Sequence, residues 1–543
     1  MRHGASRRNP DDPEMRAPGR SSAPGGSSAP GRQTRRGRAI DAWRRRSRGA
    51  KVGYILASLV AIVAMVAGIG AFAIYRQLDG NITKVSVGHL SGKAVYGSLN
   101  ILILGSQTRL GQRGHFGYDA TPGVSNSDNL LLVHLDPTHT HAIVLSIPRD
   151  TFVYQPACKE RRYVGTGVWP AQQYPPGAII DGALNIGGPT CAVQTVEALT
   201  GIQLDHFVEF NFNSFRSMVD TIGGVEVCVP RGGYHDPFSG LNLTGGKHLL
   251  TYNQALAYVR TRHGVQAEGD VGGDLPRIEL QQAFMSSVIQ KVNSTGLLTN
   301  SVQLLKVADL ATRALTVDQG LDSVSKLLTL AKSLTGLHAK NVTLLTMPTV
   351  TDPANVNRLL PEEPEDDVIF QLLQDGQSWT GRLPVRPAGQ VKVQVMNGTG
   401  TPGLAKQTAR QLRALGFDVT GTGNAAATST TTVNYAGTAQ ADSAYTLLTE
   451  LKGTPAAQNT LAEPAPQTGA AGTVTLTLGA DWAGVLAPAQ HATTGKTGKS
   501  KNKGKSTGAG QPAPGNQASV QTRNAGASIC SGLPQANPDP GGP

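Results

Sequence analysis

Asn129-Leu130-Leu131-Leu132-Val133-His134-Leu135, then a polar turn around Pro137-Thr138-His139, then Ala142-Ile143-Val144-Leu145-Ser146-Ile147: this stretch decides the fold. Two short runs rich in Leu, Val and Ile about a turn are the pattern of a β-hairpin. Antiparallel pairing sets Asp128, just before the first strand, opposite Arg149, just after the second. A carboxylate and a guanidinium meeting at the open end of a sheet suit a metal held beside a phosphate. The plainer alternative is a rim salt bridge. What separates the two is whether further arginines occupy comparable positions.

Four do. Arg109 follows the first strand of the main domain in Gly105-Ser106-Gln107-Thr108-Arg109, where a strand end opens to a loop and ligands usually sit. Arg149 itself stands in Ser146-Ile147-Pro148-Arg149-Asp150, where the proline stiffens the local backbone. Tyr258-Val259-Arg260-Thr261-Arg262-His263 carries two more. Arginines spaced by two point about 200° apart on a helix, so either the helix ends there or only one faces the site. Gly273-Asp274-Leu275-Pro276-Arg277 opens a helix and puts Arg277 where the dipole already favours an anion. Arginine recognises phosphate in a planar, bidentate way and keeps its charge, so such a cluster suits a pyrophosphate. Asp128 could hold Mg²⁺ as one of very few protein ligands, because that ion keeps waters and uses substrate oxygens. No Ser-His-Asp order with a nucleophile elbow is present, which argues against an esterase.

The rest of the chain places this cluster in a compartment. With 543 residues it can hold two or three domains. The net charge of +12 is unevenly spread: residues 1–51 carry 14 Arg or Lys against 4 Asp or Glu, and Lys496 to Lys505 form a second basic run. The middle is slightly acidic, so the folded part lacks a nucleic-acid footprint. From Val52 to Tyr75 no residue is charged, a length that crosses a hydrocarbon core of about 30 Å. The Arg44-Arg45-Arg46-Ser47-Arg48 flank puts the N-terminus in the cytoplasm and everything after Arg76 outside. Disulfides are then permitted. Four cysteines allow three pairings; Cys158 with Cys191 is expected, because both lie in one loop-rich insertion. Cys228 reads as a small core residue and Cys530 as part of a disordered tail.

The expected fold class is α/β: a single N-terminal transmembrane helix, an α/β domain with a central mixed sheet flanked by helices, and a small C-terminal α/β domain. Residues 1–51 form a disordered basic tail, 52–75 the membrane helix, 76–99 a stalk, 100–350 the main domain, 351–389 a linker, 390–485 the second domain and 486–543 a disordered tail. Strands are expected at Leu99 to Leu104, His206 to Phe210, Val225 to Val229 and Val342 to Thr346. Helices are expected at Cys191 to Leu199, Phe212 to Ile222, Asn253 to Arg260 and Arg277 to Val292. The lysine-bearing tail suits contact with anionic wall polymers, or is a solvated linker.

At these segments the chain resembles the LytR-CpsA-Psr family, over about Asn100 to Val292, with a module resembling the LytR C-terminal domain at about Lys392 to Leu478. The matching text is Asn100-Ile101-Leu102-Ile103-Leu104-Gly105, Ser127-Asp128, Ser146 to Asp150, Gly223-Gly224-Val225, Ala255-Leu256-Ala257-Tyr258-Val259-Arg260-Thr261-Arg262 and Gln281-Gln282. The resemblance implies a membrane-anchored phosphotransferase that moves a glycan from a polyprenyl-pyrophosphate carrier to a peptidoglycan hydroxyl as a phosphodiester, with the lipid tail in a hydrophobic tunnel. It implies Mg²⁺ (or Mn²⁺) at Asp128, pyrophosphate on Arg109, Arg149, Arg260, Arg262 and Arg277, and polar site positions at Asp274 and Gln281. Gln107 stands where the family usually has a second metal-binding aspartate; it still offers a carbonyl oxygen but no charge. Asn126 replaces a basic residue, and the gap between Arg262 and Arg277 is enlarged. Arg149, Asp128 and Asp274 are the expected catalytic residues, with Asp274 or Asp150 as candidate base. Abundant Ala, Arg, Gly and Pro suggest a GC-rich, actinobacterial-type source, which fits arabinogalactan or a teichoic-type polymer as the glycan. Two other readings stand beside the ligase: a polyprenyl-pyrophosphate phosphatase, and a non-catalytic wall-binding or regulatory membrane protein. Expected partners are the lipid-linked glycan, peptidoglycan and membrane lipid, with no nucleic acid.

Overall fold

The computed structural model describes residues 47–90, 97–106, 126–159, 168–169, 177–263, 265–266, 275–294, 308–310, 312–453, 455–459, 472–486, 520–533 and 535–536. Gln107, Arg109 and Asp274 therefore lie outside the described residues, as does the basic tail up to residue 46.

Helix α1 runs Arg48–Asn81, and within it Leu59–Asn81 is long and apolar enough to cross a membrane. Leu59, Ile62 and Phe72 within it stand exposed.

The main domain is built on an eight-stranded sheet. In chain order its strands are β1 (Thr83–Lys84), β2 (Leu99–Ser106), β3 (Ser127–Leu135), β4 (Ala142–Ile147), β5 (His206–Phe210), then, with strands outside this sheet intervening, β8 (Leu315–Val317), β9 (Val342–Thr346) and β15 (Thr522–Asn524). The spatial order is β1-β8-β5-β2-β3-β4-β9-β15, with parallel and antiparallel neighbours mixed. The hairpin pairs Leu130 with Ile147 and Leu135 with Ala142. Its turn is closed by Asp136, whose Oδ1 accepts from the amides of Thr140 and His141.

Near-continuous apolar runs, rather than alternating ones, follow from burial of both faces. Leu130, Leu132, Ile143, Leu145 and Ile147 enter one core with Phe207 and Val196, the latter from helix α2 (Ala183–Thr200). Leu131, Leu135, Ala142 and Val144 enter the other, covered by Met285 and Ile289 of helix α5 (Leu275–Ser294) and Leu330 of helix α6 (Val324–Ser333). Helix α2 begins eight residues before the expected Cys191. Gly188, at φ 69°, kinks it ahead of Pro189, and the Gly-Gly-Pro text hid the first turns. Beside the sheet, α3 (Phe212–Thr221), the pair β6 (Val225–Val229) and β7 (Gly246–Leu250), and α4 (Tyr252–Arg260) enclose a core of Val225, Tyr234, Tyr258, Leu280 and Phe284.

Three expectations are corrected. The segment 351–389 is not a plain linker: it holds the strand Leu359–Pro361 and helix α7 (Glu365–Gln374), whose Val368, Ile369 and Phe370 are fully buried. One apolar core runs from Leu102 through these residues into Val393 and Leu476 of the second domain. That domain has strands β10 (Lys392–Asn397), β11 (Asp418–Asn424), β12 (Thr432–Tyr435), β13 (Ala456–Asn459) and β14 (Thr473–Leu478), in the order β11-β10-β14-β12-β13. Helices α8 (Leu404–Ala414) and α9 (Ala441–Leu448) accompany the sheet.

The tail expected to be disordered contributes β15 to the main sheet, antiparallel to β9. Finally, Cys228 is not a free core thiol and Cys530 is not in a loose tail, because the two are bonded to each other. Gly, Lys and Thr around residues 491–519 mask this from a reading by composition. The Cys158–Cys191 disulfide is present as expected.

Candidate active site

Three elements far apart in the chain converge at one end of the main sheet. Asp128 is the second residue of β3, since the strand begins at Ser127, one turn of the pleat earlier than the apolar run suggests. Arg149 lies just beyond β4, and Arg277 is in the first turn of α5. Arg149 Nη1 donates to Asp128 Oδ1 at 2.5 Å. Arg277 places Nη1 3.7 Å from the same oxygen, and its Nη2 donates to the Asp128 carbonyl at 3.3 Å. The side chains are largely buried, at 18 % exposure for Arg149, 23 % for Asp128 and 6 % for Arg277, so the charges meet where water screens them weakly. Such a pair is more than a rim salt bridge, because a second guanidinium shares the carboxylate.

Two further carboxylates adjoin. Asp150 Oδ1 lies 3.5 Å from Arg149 Nε. Asp181, in the short 3₁₀ turn Ile180–Gly182, donates its amide to the Arg149 carbonyl and accepts from Asn126 Nδ2 at 3.0 Å. Burial pushes the Asp181 carboxyl up to about 6; Arg149 and the Asn126 hydrogen bond oppose this, while Asp150 and Asp128 add to it. Sequence reasoning missed Asp181. Nothing near it repeats the strand-end arginine pattern, and only the return of the chain past Arg149 brings it in. Asn126 orients that carboxylate.

The other expected residues are placed as follows. Helix α4 ends at Arg260, because Thr261 is extended (φ −64°, ψ 132°), which answers the two-residue spacing of the arginines. The Arg260 guanidinium lies over the Phe212 ring at 5.4 Å. The Arg262 amide donates to Asp236 Oδ2 at 3.0 Å, and that buried carboxylate also takes the amides of Phe238, Ser239 and His263. These amides hold the Asp236 carboxyl below its usual range against the cost of burial. Gln281, one turn along α5 from Arg277, donates Nε2 to the Val259 carbonyl at 3.0 Å and so ties α5 to the end of α4.

Among the described residues, no three His, Cys, Asp or Glu side chains form a metal cage. The donor set at Asp128 nevertheless fits an ion that takes one protein carboxylate and completes its shell with water and substrate oxygens. A carboxylate in a phosphate site repels its ligand unless a cation stands between them, so the chemistry of Asp128 beside two arginines suits that arrangement.

Comparison with known proteins gives the following. Residues 70–373 match the LytR_cpsA_psr family, and residues 390–482 match the LytR cell envelope-related transcriptional attenuator domain. The cell wall biosynthesis protein LcpA of Corynebacterium glutamicum is 28 % identical over 412 residues, covering 68 % of this chain and 76 % of LcpA. The polyisoprenyl-teichoic acid–peptidoglycan teichoic acid transferase TagU of Oceanobacillus iheyensis is 29 % identical over 236 residues, 43 % of this chain and 62 % of TagU. The crystal structure of B. subtilis TagV aligns over 52 % of this chain and 97 % of its own, with 23 % identity and a TM-score of 0.39.

Proposed function

The chain belongs to the LytR-CpsA-Psr family, and on that premise we propose that it is a phosphotransferase that joins a glycopolymer to the cell wall. The donor is a polyprenyl-pyrophosphate-linked glycan and the acceptor a peptidoglycan hydroxyl. The observation that carries this reading is the convergence of Arg149 and Arg277 on Asp128. Relatives support the class: LcpA is named a cell wall biosynthesis protein, and TagU a transferase between a polyisoprenyl-linked teichoic acid and peptidoglycan.

In the reaction the acceptor oxygen attacks the phosphorus next to the glycan. The bond from that phosphorus to the bridging oxygen breaks, polyprenyl phosphate leaves, and a phosphodiester remains. Charge grows on the leaving phosphate, and fixed guanidinium groups stabilise it without reorganising. Arg149 and Arg277 are held for this by a shared carboxylate and by low exposure. A Mg²⁺ or Mn²⁺ ion held by Asp128 would neutralise phosphate charge when bound. Asp150 is a candidate to take the acceptor proton, lying beside Arg149. The apolar helix anchors the chain in the membrane with the N-terminus inside, because arginines crowd its N-terminal flank, and the two disulfides suit an oxidising outer compartment.

The test supplies a lipid-linked pyrophosphate glycan with and without a peptidoglycan oligomer. Glycan on the oligomer is the expected result. Glycan phosphate and polyprenyl phosphate released into water, with nothing on the oligomer, would make the protein a phosphatase, and no turnover would make it a binding protein.

A further inference from the structure

The last described stretch of the chain, residues 520–533 with 535–536, grips the main domain at four places. Strand β15 adds to the sheet edge beside β9, which itself neighbours β4, the strand that leads into Arg149. Arg523, 8 % exposed, donates Nε to Ser286 Oγ of α5 at 3.1 Å, and it closes its own loop by donating to the carbonyls of Ser528, Ser531 and Gly532. In return, Gln290 Nε2 of α5 donates to the carbonyls of Ala525 and Ala527 at 2.6 and 2.8 Å. Cys530 is bonded to Cys228 of β6, and Gln535–Ala536 pairs with Val265–Gln266, in the enlarged gap between Arg262 and Arg277. Fully buried Ala525 also lies in the core shared by α5 and the sheet.

A helix and a strand end must present Arg277 and Arg149 to one carboxylate, and this segment touches the helix directly and the strand through β9, which lies between them in the sheet. We propose that the C-terminal segment, through Arg523 and the Cys228–Cys530 bond, is a positioning strap that holds α5 in register with the sheet and so sets the spacing of the two guanidinium groups for a pyrophosphate. The pyrophosphate part rests on the functional reading above; the holding of α5 does not. Arg523 touches no reacting atom. It acts through α5, as a positioning residue.

The test compares the full-length chain in detergent with Arg523→Gln and with the double variant C228S/C530S, well below their melting temperatures. Hydrogen exchange is followed along Leu275–Ser294 and, as a control for folding, along Lys392–Asn397. Binding of farnesyl pyrophosphate and of farnesyl monophosphate is measured in parallel. Exchange in α5 is expected to quicken about tenfold while the control strand is unchanged. The preference for pyrophosphate over monophosphate is expected to fall by about tenfold, since a misplaced second guanidinium costs most with the second phosphate. Unchanged exchange in α5, or equal quickening in the control strand, overturns the strap. So does quickened exchange with an intact preference, because the segment would then only stabilise the fold. If the unaltered protein shows no preference for pyrophosphate, the functional reading fails, and exchange alone still decides whether the strap holds α5.

Discussion

Two clusters of carboxylates in this molecule are treated in opposite ways. At the end of the main sheet, Asp128, Asp150 and Asp181 sit among guanidinium groups from Arg149 and Arg277. At the start of α7, Asp366 and Asp367 are buried and Glu362 and Glu365 half-buried where the main domain meets the second one, and what opposes neutralisation of Glu365, Asp366 and Asp367 is hydrogen bonding. Asp367 accepts from Tyr435 at 2.6 Å and from Asn459 Nδ2 at 2.7 Å. Burial raises the carboxyls of Glu362, Asp366 and Asp367, and that of Glu365 to about 7. The first cluster sets carboxylates against guanidinium groups, an arrangement that suits a phosphate and a cation. The second is built to keep protons, so it belongs to the join between domains and not to the chemistry.

The sharpest way to break this contrast is Arg149→Ala. Transfer should fall by about a thousandfold or more, equivalent to about 4 kcal/mol of lost transition-state stabilisation, with the fold retained by circular dichroism. Full activity in that variant would remove the site. The second cluster should respond to pH instead. An acid whose folded value lies above its unfolded one stabilises the fold below the unfolded value and loses that contribution as pH rises through the folded value. For Glu365 the window runs from its ordinary 4.5 to about 7. Glu365→Gln should therefore match the parent at pH 4 and exceed it by about 3 kcal/mol at pH 8 in denaturant unfolding. An equal gap at both values would show that the carboxyl is not held protonated.

The smallest effect sharpens the comparison, because Asp181 mixes both behaviours: it is partly buried and still faces Arg149. Asp181→Asn should add just under about 3 kcal/mol at pH 7.5 and nothing below pH 4, with the difference growing between about 4 and 6. A variant less stable than its parent at pH 7.5 would mean that attraction to the Arg149 charge outweighs burial.

The local pieces of the site were readable in advance for definite reasons. The hairpin is legible because Leu130 to Leu135 and Ala142 to Ile147 are apolar enough to be buried on both faces and are separated by turn chemistry. Asp128 and Arg149 follow from its register alone, whereas Arg277 needs a helix laid over that sheet, which periodicity suggests but cannot orient. Asp181 was invisible because its role depends on a backbone contact with a residue 32 positions earlier. Helix α7 was missed for a related reason. Its acidic first turn, Glu365-Asp366-Asp367, reads as solvated linker until the second domain closes over it.

Unaided, the amino-acid order determined the membrane-length apolar segment, the hairpin with its opposed acid and base, and the two α/β units, because each rests on neighbours in the chain. It took the tertiary structure to decide that Arg277 shares the Asp128 carboxylate, that Asp181 joins them, and that the chain's far end returns to bond Cys530 to Cys228, 302 residues away. Hydrophobic period and turn chemistry act over a few residues. The meeting of distant side chains is settled by packing of the whole core, which composition cannot encode at a single position.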